Sequence, residues 1–195
     1  MSNLSIKSYY NSKKMLNQLV AFLMFLPLIT QSIISEVKAN TNYDYLIHIN
    51  ESFDKHPIRL SGPRTYSSYW VKQASLLKKS ALSGLPNSAS CEKGNYGNLI
   101  LSLEPHIFFN PLMTTYYGTL KAKIYNQDGK IIKIIKVEDE LRGILTVLYE
   151  VPIDKLYKKL LLALDEQIKT DTETNLILND KTSKGIEGTF CLMLD

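Results

Sequence analysis

The chain has 195 residues, a formal net charge of +4, 45% hydrophobic and 22% charged residues. Lys7, Lys13, Lys14 and Lys38 against Glu36 account for three of the four positive charges, so the chain from Asn40 onward carries about +1. That balance makes the basic pI no argument for a nucleic-acid or anionic-membrane partner, and length and composition are those of one ordinary globular domain.

The first forty residues concern location. Lys7, Lys13 and Lys14 precede an apolar run from Leu19 to Thr30, and Val37-Lys38-Ala39 stand before Asn40. A basic start, an apolar core of about 7–15 residues and a small-residue junction describe a secretory signal peptide. We therefore expect residues 1–39 to be a leader cleaved after Ala39, and 40–195 to be a single exported domain, periplasmic or secreted. The alternative is a retained anchor, although a spanning helix needs roughly 20 apolar residues and Asn17, Gln18, Gln31 and Ser32 bracket a shorter run. No cysteine lies near the junction to take a lipid. Membrane contact is expected only through the leader before cleavage.

Beyond the leader, Tyr43 to Ile49 is aromatic and β-branched and predicts a strand. Asn50 to Pro63, with Pro57, Gly62 and Pro63, predicts a loop. Ser67 or Ser68 can cap a helix running to about Leu82, with Trp70 or Val71, Ala74, Leu77 and Ala81 at helical spacing. Gly84 and Pro86 end it, and Asn87 to Asn98 reads as a loop. Leu99 to Glu104 predicts a strand with Leu99, Leu101 and Leu103 on one face. Pro105 and Asn110-Pro111 bound it and indicate an edge or bulge. Tyr116 to Tyr125 and Lys130 to Val137 predict a hairpin about Asn126-Gln127-Asp128-Gly129. Gly143 to Val151, apolar and β-branched, predicts a further strand or a strand extension.

Asp154, after Pro152, is expected to open a second helix. Ile153, Leu156, Tyr157, Leu160, Leu164 and Ile168 form one apolar stripe on it. Asp171 to Lys184 is polar and expected to be mobile, and Gly188 to Leu194 predicts a last short strand. The whole is an α+β fold: an antiparallel or mixed sheet of about five strands with two helices packed on one face.

Cys91 and Cys191 are an even pair in an exported chain, which predicts a disulfide. Closing a loop of about 100 residues is worth about 4–5 kcal/mol on chain-entropy grounds. A reactive thiol, half a metal site, or two unpaired buried thiols are the alternatives.

The sequence holds no nucleophile elbow, phosphate-binding loop, zinc-protease helix or dinucleotide fingerprint. His48, His56 and His106 show no ligand spacing, so no metal and no cofactor is expected. Glu104 and His106 are the one acid–base combination worth testing as a hydrolase site, and a solvated role is the plainer reading of both. Phe108, Phe109, Tyr116 and Tyr117 flank Asn110-Pro111-Leu112-Met113 between two strands. Aromatic side chains on an accessible connection can anchor an interface. The candidate surface is therefore Phe108, Phe109, Pro111, Met113, Tyr116 and Tyr117, against the alternative that these residues fill the core. Tyr43 and Tyr45 form a second candidate.

Asn98 to Thr170 has a strand, an Asn-Pro turn, a long hairpin at Asp128-Gly129 and an amphipathic helix over Ile153 to Lys169. This order resembles small periplasmic domains of the ABC-transport auxiliary, outer-membrane assembly and TolB N-terminal type. The resemblance implies a non-enzymatic envelope protein that binds a protein partner. The alternatives are a small-ligand or lipid binder, using a groove between helix Ile153–Lys169 and the sheet, and a hydrolase. Nucleic acid is not an expected partner.

Overall fold

The computed structural model describes residues 42–62, 68–180 and 185–194. The expected leader and its Ala39 junction lie outside the described residues, as does Ser67. In chain order the elements are β1 (Asn42–His48), α1 (Ser52–Lys55), β2 (Ile58–Ser61), β3 (Ser68–Val71), α2 (Gln73–Gly84) and β4 (Ser88–Ser90). They continue with β5 (Tyr96–Asn110), β6 (Thr115–Tyr125), β7 (Ile131–Arg142), α3 (Glu150–Thr170), α4 (Thr172–Asn179), β8 (Ile186–Glu187) and a 3-10 segment, Gly188–Met193.

The fold is α+β. A mixed sheet runs β4-β1-β5-β6-β7, with β8 paired to the start of β5, and β2 and β3 form a separate ribbon. β1 is parallel to β4 and β5, whereas β5, β6 and β7 are antiparallel neighbours. The strands alternate with period two, so β5 sends Leu99, Leu101, Leu103, Ile107 and Phe109 to one face. Leu120, Ala122 and Ile124 of β6 and Ile135 and Val137 of β7 join them. The stripe of α3 lies on this face: Ile153, Leu156, Tyr157, Leu160, Leu161, Leu164 and Ile168 are fully buried. Burial of each such aliphatic side chain contributes about 1.5–3 kcal/mol, which makes this layer the main stabilising unit. A second cluster on the opposite face contains Leu46, Ala89, Ile100, Ile186 and Cys191.

The disulfide Cys91–Cys191 is present, with Cα atoms 6.1 Å apart across a sequence separation of 100. It ties the 3-10 segment to the end of β4. Gly188 makes this approach practicable, because a Cβ there would stand 2.2 Å from the carbonyl oxygen of Glu92. At the β6–β7 turn Gly129 has φ +71°, and Asn126 Oδ1 accepts the N–H groups of Asp128 (3.1 Å) and Lys130 (2.9 Å). That is the Asn-and-Gly turn chemistry expected there.

Several expectations are corrected. The polar stretch after Asn50 contains α1 and β2 rather than only loop. The helix expected from Ser67 or Ser68 starts at Gln73, because Ser68–Val71 is strand β3, zipped to Ile58–Ser61. Tyr69, Trp70 and Val71 favour a pleated surface, and β2 supplies the partner. The strand at Leu99 runs from Tyr96 to Asn110, straight through Pro105. Pro105 lies beyond the last β1 pair, His48↔Ser102, where β5 has only β6 as hydrogen-bonded neighbour, so its missing N–H breaks no ladder to β1.

The strand expected over Gly143 to Val151 does not form. The segment is taken up by turns instead, with the Tyr149 N–H on the Thr146 carbonyl (3.1 Å) and the Val151 N–H on the Leu148 carbonyl (3.1 Å), and it leads into α3, which begins at Glu150 rather than Asp154. Pro152 sits in the first turn of α3, where its missing N–H is tolerated. The stretch after Asp171 forms α4, capped by the Asp171 side chain on the N–H of Thr174 (3.1 Å). The last strand, expected over Gly188 to Leu194, does not form: Gly188–Met193 is the 3-10 segment, and the short strand β8 lies just before it. The β8 register pairs Glu187 with Tyr96, the first residue of β5, so Gly188 onward has no strand to pair with.

Candidate functional site

The β5–β6 connection sets up one end of the molecule. Asn110 Oδ1 accepts the N–H groups of Leu112 (3.0 Å) and Met113 (3.2 Å), which folds the turn back tightly. Thr114 then takes φ +48°, a left-handed conformation that a β-branched residue adopts at a cost. The result projects Leu112, 90% exposed, and Met113 into solvent.

The six residues expected at an interface divide by strand parity. Phe109 and Tyr116 point into the helix-covered face, pack on each other at 4.7 Å between centroids, and are buried core residues. Phe108 and Tyr117 point to the other face and stack at 6.3 Å, with Phe108 exposed and Tyr117 half-buried. The Tyr117 hydroxyl lies 3.5 Å from Met113 Sδ. Pro111 is half-buried and Met113 exposed at the tip. Of the second candidate pair, Tyr45 is fully buried and Tyr43 half-buried.

Other segments extend this end. The N–H of Gly143 donates to the Thr114 carbonyl (2.8 Å), and the Tyr116 hydroxyl donates to the Ile144 carbonyl (3.3 Å). Burial pushes the Tyr116 phenol up to about 12, with Tyr69 adding to it, so it stays a neutral donor. The Tyr149 hydroxyl in turn donates to the Trp70 carbonyl (3.4 Å), and its ring meets Tyr69 at 5.2 Å. Leu112, Met113, Ile144, Val147 and Leu148 are exposed on the segments that these bonds join, and Trp70 is exposed beside Tyr149. The run Gly143–Val151 carried this signal in the sequence, where its apolar character reads equally well as a buried strand.

The carboxylate of the acid–base combination is already engaged. Glu104 is held by Lys121 (3.2 Å) and Lys123 (2.5 Å), and these ion pairs, Lys123 foremost, keep its carboxyl below the usual range against the opposing effect of burial. His106 is exposed on the same face, opposite Thr119. Among the described residues no group of three or more His, Cys, Asp or Glu side chains is placed to hold a metal ion, and no helix is long and apolar enough to cross a membrane.

The groove expected between the Ile153–Lys169 helix and the sheet is filled by the core itself. A cavity of about 630 Å³ opens elsewhere, at the carboxyl ends of β1 and β4. Ile47, Ile49, Ala74 and Leu192 supply apolar lining, and the Cys91–Cys191 disulfide forms part of the wall. Lys55, Lys72 and Lys78 stand around it with Glu51, Asp54 and Glu92. Lys55 pairs with Glu51 (3.2 Å) and Lys78 with Glu92 (3.3 Å), while Asp54 accepts from the N–H of Ser75 (3.1 Å) and from its hydroxyl. On the β1 side, His48 Nδ1 lies 3.4 Å from Ser102 Oγ.

No family model and no curated protein matches this chain. Among solved structures it is similar to one described as the crystal structure of an uncharacterized protein, at 10% identity and a TM-score of 0.38, covering 65% of this chain and 90% of that one.

Proposed function

We propose that this chain is an exported, non-enzymatic envelope protein that docks a protein partner through the end formed by Leu112, Met113, Ile144, Val147, Leu148 and Trp70. The observation that carries the reading is that end itself. Monomeric soluble proteins rarely leave a large contiguous apolar patch uncovered, and such patches mark interaction sites. Aromatic and Met side chains are enriched in the buried centres of interfaces. Its placement fits a protein partner: β1 begins at Asn42 beside Tyr96, while Leu112 and Met113 lie past Asn110 at the far end of β5, about 45 Å along the strand. The domain therefore presents its apolar end away from the point where the chain enters the sheet. The disulfide accords with an oxidising compartment, and the resemblance to small periplasmic domains points the same way.

The test is site-directed photo-cross-linking in cells, with the cross-linker at Leu112 or Val147 and a control at Lys93. A discrete adduct with one envelope protein is expected from the first two positions only, abolished by Met113→Asp. Absence of any adduct, or adducts with copies of this chain alone, overturns the reading. Mass spectrometry of the same material reports whether the chain begins at Asn40.

A further inference from the structure

We propose that β7 pairs with itself: two copies of this chain join their sheets by laying β7 antiparallel to β7, about a two-fold axis at Val137. Among the described residues β7 has β6 as its one strand neighbour, so its other edge is open. Two sets of bonds show which residues face that edge. The N–H of Gly143, just past β7, donates to the carbonyl of Thr114, just before β6 (2.8 Å). Backbone groups alternate in direction along a strand, so Leu141, Asp139, Val137 and Ile135 also turn theirs to β6. Glu140 does the opposite. Its N–H goes to Asp139 Oδ1 (2.7 Å) and its carbonyl accepts from Lys159 Nζ (3.0 Å), not from a strand. Glu138, Lys136 and Ile134 share its parity and offer N–H and C=O groups to the open edge, where no described strand takes them.

The order of charges selects the occupant. β7 carries Lys133 and Lys136 in its first half and Glu138, Asp139 and Glu140 in its second. Lysines on an edge ordinarily keep foreign strands away. An antiparallel copy of the same strand reverses the order and answers them. With Val137 on the axis, Lys136 stands opposite the second copy's Glu138, and Glu138 opposite the second copy's Lys136. These are the residues whose backbone groups face the edge, so the same register makes the ladder and both ion pairs. Registers centred on Lys136, Glu138 or Asp139 set like charges against each other, which is destabilising. Within one copy Lys136 and Glu138 meet at 2.6 Å with side chains 62% and 63% accessible. So exposed a pair contributes little, and both residues can re-partner across the axis at small cost. The local bonds at Glu140 end the ladder there, which leaves about four backbone bonds across the joint. The dimer is therefore isologous, weak and reversible.

The experiment is sedimentation equilibrium of the full chain as purified from its exporting host, joined to residue-resolved hydrogen exchange. Loadings from about 10 µM to 1 mM span the weak range expected of so short a joint. A monomer–dimer equilibrium is expected. Lys136→Glu and Glu138→Lys should each weaken it about tenfold, because each sets like charges opposite one another twice. The double variant Lys136→Glu, Glu138→Lys should restore it. The amides of Lys136 and Glu138 should exchange slowly in the concentrated sample and fast in the dilute one. Those of Ile135 and Val137, bonded to β6, should be slow in both. A monomer at every loading, a dimer that the single variants leave intact, a double variant no tighter than the singles, or Lys136 and Glu138 amides indifferent to concentration each overturn the proposal. Both positions are exposed. Should a variant nevertheless lose its fold, the amide comparison on the natural chain decides alone. Neither Leu112 nor Val147 takes part in the ladder, so self-pairing and partner docking stand or fall separately.

Discussion

Tyr45 on β1 donates its phenol hydrogen to Asp165 Oδ1 on α3 at 2.9 Å, across 120 residues of sequence. Tyr45 is fully buried and Asp165 nearly so. Burial first, and Asp165 second, push the phenol far above the usual tyrosine range, so it remains a neutral donor. The other carboxylate oxygen accepts from Lys169 at 2.6 Å. Tyr45→Phe deletes one donor and leaves a buried carboxylate oxygen without its partner, a loss of about 1–3 kcal/mol. Urea denaturation should show the midpoint falling with an unchanged slope. A loss under about 0.5 kcal/mol would mean that another donor reaches Asp165.

The disulfide restrains a long loop and secures a small cluster. Cys91 and Cys191 join positions 100 residues apart, and Cys191 belongs to the second-face cluster with Leu46 and Ile100. The paired Cys91→Ala, Cys191→Ala variant should lose about 4–5 kcal/mol on chain-entropy grounds. Hydrogen exchange should locate the first loosening at Ile186–Met193, because β8 contributes only two ladder pairs of its own. Uniform loosening across the sheet would contradict this assignment.

Thr114 stores backbone strain at the tip of the β5–β6 hairpin. Its φ of +48° suits Asn or Gly better than a β-branched residue. Thr114→Asn should raise stability by about 0.5–1 kcal/mol in thermal unfolding, since the native conformation is kept and the strain relieved. A destabilisation would mean that the Thr114 hydroxyl, which donates to the Met113 carbonyl at 2.7 Å, outweighs the strain.

Acid should weaken the fold below the ordinary carboxylate range. Glu104 is lowered chiefly by its bond to Lys123, with burial opposing. Burial pushes Asp154 up, but Lys158 (2.8 Å) and Ser80 (2.7 Å) outweigh it, so its carboxyl too ends low. Groups held low in the folded state bind protons more readily when unfolded. Their contribution is complete above the unfolded values, near 4.5 for Glu104 and 3.8 for Asp154, and is lost as pH falls through the folded ones. Urea midpoints should stay level from about pH 7 to 5 and drop below about 4.5. The paired Lys121→Met, Lys123→Met variant should flatten the Glu104 part of that drop.

Elements built on a strict local period were legible. The 3.6-residue stripe of Ile153 to Ile168 and the Asn-Gly turn at Asn126–Gly129 need no distant partner to be recognised. Segments whose state depends on a neighbour were not. Ser68–Val71 is a strand because Ile58–Ser61 lies beside it, and Gly143–Val151 spends its backbone bonds on the Thr114 carbonyl and on local turns rather than on a ladder. The candidate interface shows the same division. Its aromatic cluster is visible in the sequence, yet only the pairing of Phe109 with Tyr116 and of Phe108 with Tyr117 assigns one pair to the core and the other to the outer face.

What the sequence by itself determined is therefore the α+β class, the helix stripe, the central hairpin and the Cys91–Cys191 link, because each follows from local periodicity, turn chemistry or an even cysteine count. The tertiary structure alone decided the parallel insertion of β1 between β4 and β5, the cavity at its carboxyl end, and the joining of the Gly143–Ile144 segment to the β5–β6 connection. These depend on ladder partners and on which face a neighbour covers, and neither is encoded in the spacing of residues along the chain.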